Sequence, residues 1–455
     1  MNTMNRKEFV KNTGLAAATL AILPADKLFA SAADTKIKIA MIGVGLRGQN
    51  HLDLVLRRND VELVAICDID DRMLTRSKEM VVKSGKKMPQ IFTGDLYAWK
   101  KMLEMKGGID GIIIATPWEW HKEMIIGSIE AGIKYIGSEV MIGITLQDHW
   151  DVVKAAEKYK AHVMMLENVC YRRDVMAILN MVRQGLFGEM IHLQGGYQHD
   201  LRDVKFNNGT KAYGGGCEIG DKAWSEASWR THHSIHRNGD LYPTHGIGPI
   251  AHCININRGN RFVNISSFST KARGLHEHVI KNCGPDHPNA KIKFKLGDVV
   301  TTSIGCANGE TILLQHDTNL PRPYSLGFRV QGTEGIWMDL NRGIYIEGKS
   351  PRPHQWDEAK IWLDKYDHPL WAKWSKEAQG SGHGGMDFYV IHSFVESIKR
   401  NAPTPMDVYD AAAWSAITPL SEMSIEKGNE TIEFPDFTGG QWMYRKPVFA
   451  LNDEY

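Results

Sequence analysis

"KIKIAMIGVGLRGQNHLDLVLRR", residues 36–58, decides the fold. Its first half is an apolar run of strand length, and its second half repeats apolar residues at helical spacing. Between them stands Gly43-Val44-Gly45-Leu46-Arg47-Gly48, a GxGxxG at a strand-to-helix junction. Only glycine lets the backbone turn that tightly and approach a pyrophosphate, whose charge then rests on the helix N-terminus. The next strand-like run, "VELVAICD", ends on Asp68, twenty residues after Gly48. A carboxylate there accepts hydrogen bonds from the adenosine ribose hydroxyls and repels a 2′-phosphate, so the expected cofactor is NAD, not NADP.

The alternation continues outward from this unit. A helix over "DDRMLTRSKEMVVKS" leads to the strand "QIFT", the helix "DLYAWKKMLEMK", the strand "GIDGIIIATP", a helix after Trp118, the strand "KYIGSEV", the helix "TLQDHWDVVKAAEKYK" and the strand "HVMMLENV". Such a series closes a doubly wound parallel sheet by about residue 169. The second half differs in kind. Runs such as "MIHLQGGYQHDL", "RFVNISSFST", "KIKFKLGDVVTTSIGCANGETILLQHDT" and "SLGFRVQGTEGIWMDLNRGIYIEG" follow one another with turn residues between them. The last seventy residues return to helical spacing in "MDFYVIHSFVESIKR" and "VYDAAAWSAITPLSEMSIEKG". The fold class expected is α/β: an N-terminal Rossmann doubly wound parallel sheet over 33–169, then an α+β domain over 170–455 with a large, mostly antiparallel open sheet and C-terminal helices.

Composition narrows the function. The 455 residues are 43% hydrophobic, enough for two packed domains, and no stretch of eighteen apolar residues crosses a membrane. A net charge of +1 without a basic block gives no electrostatic reason to expect nucleic acid or an anionic membrane as partner. A small neutral ligand fits better. The six cysteines have no CxxC pair and no zinc-like spacing, and read as mostly buried free thiols with a disulfide left open. Residues 1–32 read as an export signal: a basic start, an apolar run from Gly14 to Leu23, a proline, and Ala30-x-Ala32 as a cleavage site. "RKEFVK" resembles the twin-arginine consensus with Lys7 in place of the second arginine, and an ordinary secretory signal or an uncleaved lipid-free anchor is the alternative. Either route places the mature protein in the periplasm or outside the cell.

A Rossmann domain followed by one open sheet, with Glu139 closing the fifth strand, resembles the Gfo/Idh/MocA oxidoreductases. That family carries Glu-Lys-Pro here, with a proton-handling lysine; this chain has Glu139-Val140-Met141. "IGVGLRGQNHL", "ENVCYRRD" (167–174), "GDLYPTHGIGP" (239–249) and "RPYSLGF" (322–328) look like one branch, glycoside hydrolase family 109, the NAD-dependent α-N-acetylgalactosaminidases, which likewise lack the lysine. The resemblance implies a glycan or small-molecule substrate with terminal N-acetylgalactosamine, and a redox-neutral cycle on tightly held NAD. The sugar C3 hydroxyl is oxidised, the ketone acidifies the C2 proton, its loss expels the C1 oxygen, water adds, and C3 is reduced again. Such a cycle needs a base near C3, proton handling at C2 and an acid for the leaving group, but no pair of glycosidase carboxylates.

His245, in Tyr242-Pro243-Thr244-His245, is the expected group at the C3 hydroxyl, since imidazole works near neutral pH and Pro243 stiffens the turn. Tyr197, in "GGYQHD", and Tyr242 are expected at C2 and the leaving group, in an order left open, and a phenol serves there only if a neighbouring cation or the oxidised nicotinamide stabilises its phenolate. On the cofactor side stand Gly43, Gly45, Leu46, Arg47, Gly48 and Asp68, with Trp118 and His121 after the fourth strand. Glu139, Val140 and Asn168 resemble the family's nicotinamide contacts. Arg230 and Tyr324 resemble its sugar contacts, joined by Tyr197 and residues 242–245. Trp224 and Trp229 are candidate sugar stackers, although most of the 13 tryptophans must be core. "HHSIH" at 232–236 lacks a carboxylate or cysteine spaced to complete a metal site, and no metal is expected. The rival readings are an exported NAD-dependent sugar dehydrogenase and a non-catalytic sugar sensor. A homo-oligomer is left open.

Overall fold

The computed structural model describes residues 36–455 apart from position 106; the export signal expected over 1–32 lies outside the described residues. Six strands, β1 (Ile37–Ile42), β2 (Val61–Cys67), β3 (Gln90–Phe92), β4 (Gly111–Ile114), β5 (Tyr135–Ser138) and β6 (His162–Met165), form a parallel sheet in the order β3-β2-β1-β4-β5-β6. Every residue of β4 and β5 is buried, because helices cover both faces of a parallel sheet. Strand order reverses between β1 and β4, which opens a crevice at their carboxyl ends. Local signals set the helix starts. Asp70 caps the helix Asp71–Ser84 by accepting from the amides of Arg72 and Met73, and Thr145 opens the helix Leu146–Tyr159 with a capping box to Asp148.

The second sheet contains β7 (Met190–Gln198), β8 (Phe262–Ser269), β9 (Val299–Cys306), β10 (Thr311–Asp317), β11 (Arg329–Gly332), β12 (Gly335–Met338), β13 (Gly343–Ile346), β14 (Asp357–Glu358) and β15 (Ile432–Glu433). Its order is β14-β13-β12-β11-β7-β10-β9-β8-β15, antiparallel throughout except where β7 pairs with β10. The strand-like start of "KIKFKLGDVV" is not a strand. The amides of Lys295 and Leu296 donate to the Ile235 and Ser234 carbonyls near the end of the helix Arg230–His236, and those bonds replace ladder bonds. "YPTH" is likewise more than a turn: a helix, Thr244–Cys253, starts inside it.

The C-terminal helices tie the two sheets together. Helix Met386–Arg400 returns to pack on β1 and on the helix Leu46–Arg57, while Val408–Glu426 touches both β6 and β8. One continuous apolar core therefore runs through both sheets. Cys217 and Cys283 form a disulfide, and Cys67, Cys170, Cys253 and Cys306 are buried free thiols. Among the described residues no helix is long and apolar enough to cross a membrane.

Candidate active site

The three glycines of the first loop do different work. Gly43 has φ +84°, and a Cβ there would lie 2.6 Å from the Ala115 carbonyl oxygen; a Cβ on Gly48 would lie 2.2 Å from the Gly43 carbonyl oxygen. These two allow the turn and press helix onto strand. A Cβ on Gly45 would meet nothing within 4 Å, so this backbone faces open space, as a loop that receives a pyrophosphate must. Asp68 accepts the Val44 amide at 2.7 Å on one oxygen and the Asp70 amide at 2.9 Å on the other. Burial pushes its carboxyl up, and these amides oppose the shift. Each oxygen keeps a free lone pair for a ribose hydroxyl. The residues present therefore fit NAD. We expect NAD to co-purify, and Asp68→Ala to weaken its binding by roughly 1 to 3 kcal/mol, the scale of hydrogen bonds to a charged group; calorimetric titration of stripped protein measures this, and unchanged affinity would remove Asp68 from the site.

From this loop a cavity of about 750 Å³ runs across the ends of β1, β2, β4 and β5 to the second sheet. Gly43, Gly45, Leu46, Arg47, Asp68, Trp118, Glu139, Val140, Asn168, Tyr197, Arg230, Tyr242 and His245 line it. Gly48, His121, Pro243, Thr244 and Tyr324 do not. His121 is fully buried with its ring nitrogens 2.6 and 2.7 Å from the Met141 and Thr116 carbonyl oxygens, so it pins the segment that carries Val140. Thr244 is buried in the first turn of its helix. Tyr324 is half exposed and borders a second cavity. Trp224 and Trp229 both line the first cavity. The Trp224 indole donates to Asp70 at 3.0 Å under the Arg72 guanidinium, at the Asp68 end; Trp229 packs edge-on against Trp118 with ring centroids 5.1 Å apart.

Beneath the loop lies a charged cluster. The Arg47 guanidinium is 2.7 Å from Glu139 and 2.9 Å from Asp387 of the C-terminal helix, His51 Nε2 is 2.6 Å from Glu139, and the Asn168 amide donates to Asp387 at 2.8 Å. Burial alone would push the Glu139 carboxyl up, but Arg47 and His51 outweigh it and hold it down to about 2. Two carboxylates thus more than offset the charge of Arg47, and backbone amides are what the loop offers a pyrophosphate. Where a lysine would stand, Val140 presents a buried aliphatic side chain.

The residues expected to handle protons gather at the other end. Close approach of glycines sets their spacing: a Cβ on Gly195 of β7 would lie 2.4 Å from the Gly246 carbonyl oxygen, and one on Gly246 would lie 2.4 Å from the Gly196 amide nitrogen. The helix Thr244–Cys253 can therefore lie directly on β7, which brings His245 to Tyr197. Ring centroids are 5.1 Å apart for Tyr197 and His245, 4.9 Å for Tyr242 and His245, and 4.6 Å for the two tyrosines. Burial pushes both phenols up, and the Arg230 charge works against it on each. The Arg230 guanidinium lies 5.3 Å from the Tyr242 ring centroid and is paired with Glu226 at 2.5 Å.

Two further residues belong to this end, and the sequence reading passed over both. Glu167, fully buried at the end of β6, sets its two oxygens 2.7 and 2.9 Å from His245 Nδ1. A carboxylate only accepts, so Nδ1 carries the proton and Nε2 is left as the basic nitrogen. His199 Nδ1 is 3.1 Å from the Tyr197 hydroxyl and lines the cavity. The signals were there: Glu167 precedes Asn168, and His199 stands two positions after Tyr197, where strand alternation returns to the same face.

Asp240, buried just before the tyrosine, accepts the Tyr242 amide at 3.1 Å. Burial pushes its carboxyl up to about 7, the amide acting the other way. The unfolded chain loses this proton near pH 4 and the folded chain keeps it to about 7, so the folded state binds more protons in that interval and stability falls as pH rises through it. Asp240→Asn should raise the melting temperature above pH 7 and change it little at pH 4.5. Parallel curves of melting temperature against pH would show that Asp240 does not titrate this way.

With this geometry in hand, comparison with known proteins is direct. The description "Oxidoreductase family, NAD-binding Rossmann fold" matches residues 37–167, and "Glycosyl hydrolase 109, C-terminal domain" matches residues 171–444. The chain belongs to glycosyl hydrolase family 109. A family 109 protein of Stenotrophomonas maltophilia is 58% identical over the full length of both chains. An α-N-acetylgalactosaminidase of Tannerella forsythia is 52% identical over 93% of this chain and 90% of its own. Among solved structures, levoglucosan dehydrogenase in complex with NADH aligns over 88% of this chain and all of its own, with a TM-score of 0.62 at 18% identity, which is a likeness of fold. The family 109 chain is thus a glycoside hydrolase built on an NAD-binding Rossmann domain. Among its described residues no group of three or more His, Cys, Asp or Glu side chains could hold a metal ion.

Proposed function

We propose that this chain hydrolyses terminal α-N-acetylgalactosamine from glycans by oxidation at sugar C3, elimination of the C1 oxygen, addition of water and re-reduction. One observation carries the reading: His245, backed by Glu167, and two phenols face one end of a cavity whose other end is the dinucleotide loop. The relatives named α-N-acetylgalactosaminidase support the choice of sugar. Gly43, Gly45, Leu46, Gly48 and Asp68 hold the dinucleotide, Trp118 flanks it, and Glu139, Val140 and Asn168 face its nicotinamide end, with Arg47 and His121 bracing that segment. Bound there, NAD supplies reversible hydride acceptance from sugar C3. His245 Nε2 takes the proton of the C3 hydroxyl, while Glu167 balances the charge that forms on the ring. Of Tyr197 and Tyr242, one handles the C2 proton and the other protonates the leaving oxygen. Arg230 opposes the burial of both phenols and is the cation that makes a transient phenolate affordable. Pro243 and Thr244 set the helix start that aims His245, and Tyr324 meets the sugar from the open side.

The test uses an aryl α-N-acetylgalactosaminide deuterated at C2, turned over without added cofactor. Loss of the label to solvent, or an isotope effect, is expected because elimination breaks the C2–H bond. Full retention with no isotope effect in an active enzyme overturns the cycle; in a parallel assay with NAD supplied, its stoichiometric reduction would make the protein a sugar dehydrogenase.

We further infer export by the segment over 1–32 and a division of the mature chain near residue 169. The basic and apolar pattern of 5–34 supports the first, and the Cys217–Cys283 bridge suits an oxidising compartment outside the cytoplasm.

A further inference from the structure

We propose that the second cavity, beyond Tyr324, is an aglycone subsite that takes the neutral sugar residues following the terminal N-acetylgalactosamine; the inference rests on the function proposed above for the first cavity. The second cavity holds about 700 Å³, a volume within the range of small-ligand sites. Tyr324 is the border between the two. It lines the second cavity, and its ring centroid is 4.9 Å from that of His199 and 6.5 Å from that of Tyr197, both of which line the first. The 3₁₀ turn Asn168–Tyr171 makes the same connection from below, since Asn168 lines the first cavity and Arg172, the residue after the turn, lines the second. A glycan whose terminal sugar sits against His245 and leaves past Tyr197 meets Tyr324 and then this cavity.

The lining selects the chemistry. Four cationic and five acidic side chains face the cavity, a near balance that gives a strongly charged ligand little advantage. Most of them are already paired: Arg172 lies 2.6 Å from Asp174 and 3.3 Å from Asp339, Arg173 lies 2.7 Å from Asp367, and Lys360 lies 2.5 Å from Asp364. Side-by-side donors and acceptors match sugar hydroxyls, each of which both donates and accepts. Apolar surface for sugar C–H faces comes from the exposed Tyr324 ring and from Leu340, which is 62% exposed. The hairpin between β12 and β13 also carries unused capacity. Asp339 Oδ1 is buried without a hydrogen-bond partner, and Arg342 makes no ion pair among the described residues.

The full-length protein is assayed on two substrates, p-nitrophenyl α-N-acetylgalactosaminide and a trisaccharide with α-N-acetylgalactosamine on two neutral sugars. Arg342→Ala and Asp339→Asn should each raise KM for the trisaccharide about tenfold, the loss of one hydrogen bond to a charged group, with both constants for the aryl glycoside within about twofold. Arg342 is exposed and in no ion pair among the described residues, so Arg342→Ala keeps the test valid if Asp339→Asn perturbs the Arg172 pair. An active enzyme whose Arg342→Ala variant leaves the trisaccharide KM unchanged, or shifts both substrates alike, overturns the subsite alone. An unsubstituted protein inactive on both substrates overturns the reading of the first cavity, and this one with it.

Discussion

His245→Ala should lower kcat by about 10² or more, the usual worth of a positioned acid–base group, while NAD stays bound. The size follows from the surroundings: a buried carboxylate within 2.9 Å of Nδ1 fixes Nε2 of His245 as the basic nitrogen facing the cavity. His199, the nearest alternative, faces the Tyr197 hydroxyl instead. The substitution sits in the first turn of a helix whose close contact with β7 is made by Gly246, so the fold should survive. Retained NAD, read by mass spectrometry of the denatured protein, separates lost chemistry from lost cofactor. Val140→Lys should not rescue activity, since position 140 is buried and Glu139 beside it is already committed to Arg47 and His51. A variant with wild-type kcat would move the base elsewhere.

Glu167→Gln should cost about 10² or more in kcat with KM near the unsubstituted value. The amide is nearly isosteric and still offers an oxygen to the Val169 amide, which donates to Glu167 at 3.0 Å, so the 3₁₀ turn should hold. What it lacks is the negative charge that, in the proposed cycle, stabilises the imidazolium formed when His245 takes a proton. In a fully buried position that charge acts through little intervening water and is worth more than it would be at the surface. Since Glu167 does not itself line the cavity, the loss should appear in turnover and not in substrate binding. A rise in KM with kcat preserved would make Glu167 a packing residue only.

Much of this protein is written in local pattern. The glycine loop, Asp68 twenty residues on and the alternation of strand and helix carry the parallel sheet, because a βαβ unit is specified by periodicity and a few backbone-permissive residues over a short span. The same holds for the capped starts of the helices Asp71–Ser84 and Leu146–Tyr159. Tyr197, Tyr242, Arg230 and His245 were also nameable, on motifs resembling a family. Their convergence was not. Glu167 and His245 stand 78 residues apart, and they meet because the helix Thr244–Cys253 packs on the turn after β6, where a Cβ on Gly248 would lie 2.9 Å from Cys170 Sγ and 3.3 Å from Glu167 Cγ. Arg47 read as a phosphate-loop cation, yet Asp387, arriving on a helix 340 residues later, and Glu139 more than offset its charge and make it a tie between sheet and C-terminal helix. His121 stood where a cofactor contact belongs, and two carbonyl oxygens claim it. Pattern determines which segments form strands and helices and which residue types are present, since those depend on neighbours in sequence. Which polar groups end up paired, buried or free to react depends on partners brought from far along the chain, and only the packed tertiary structure decides that.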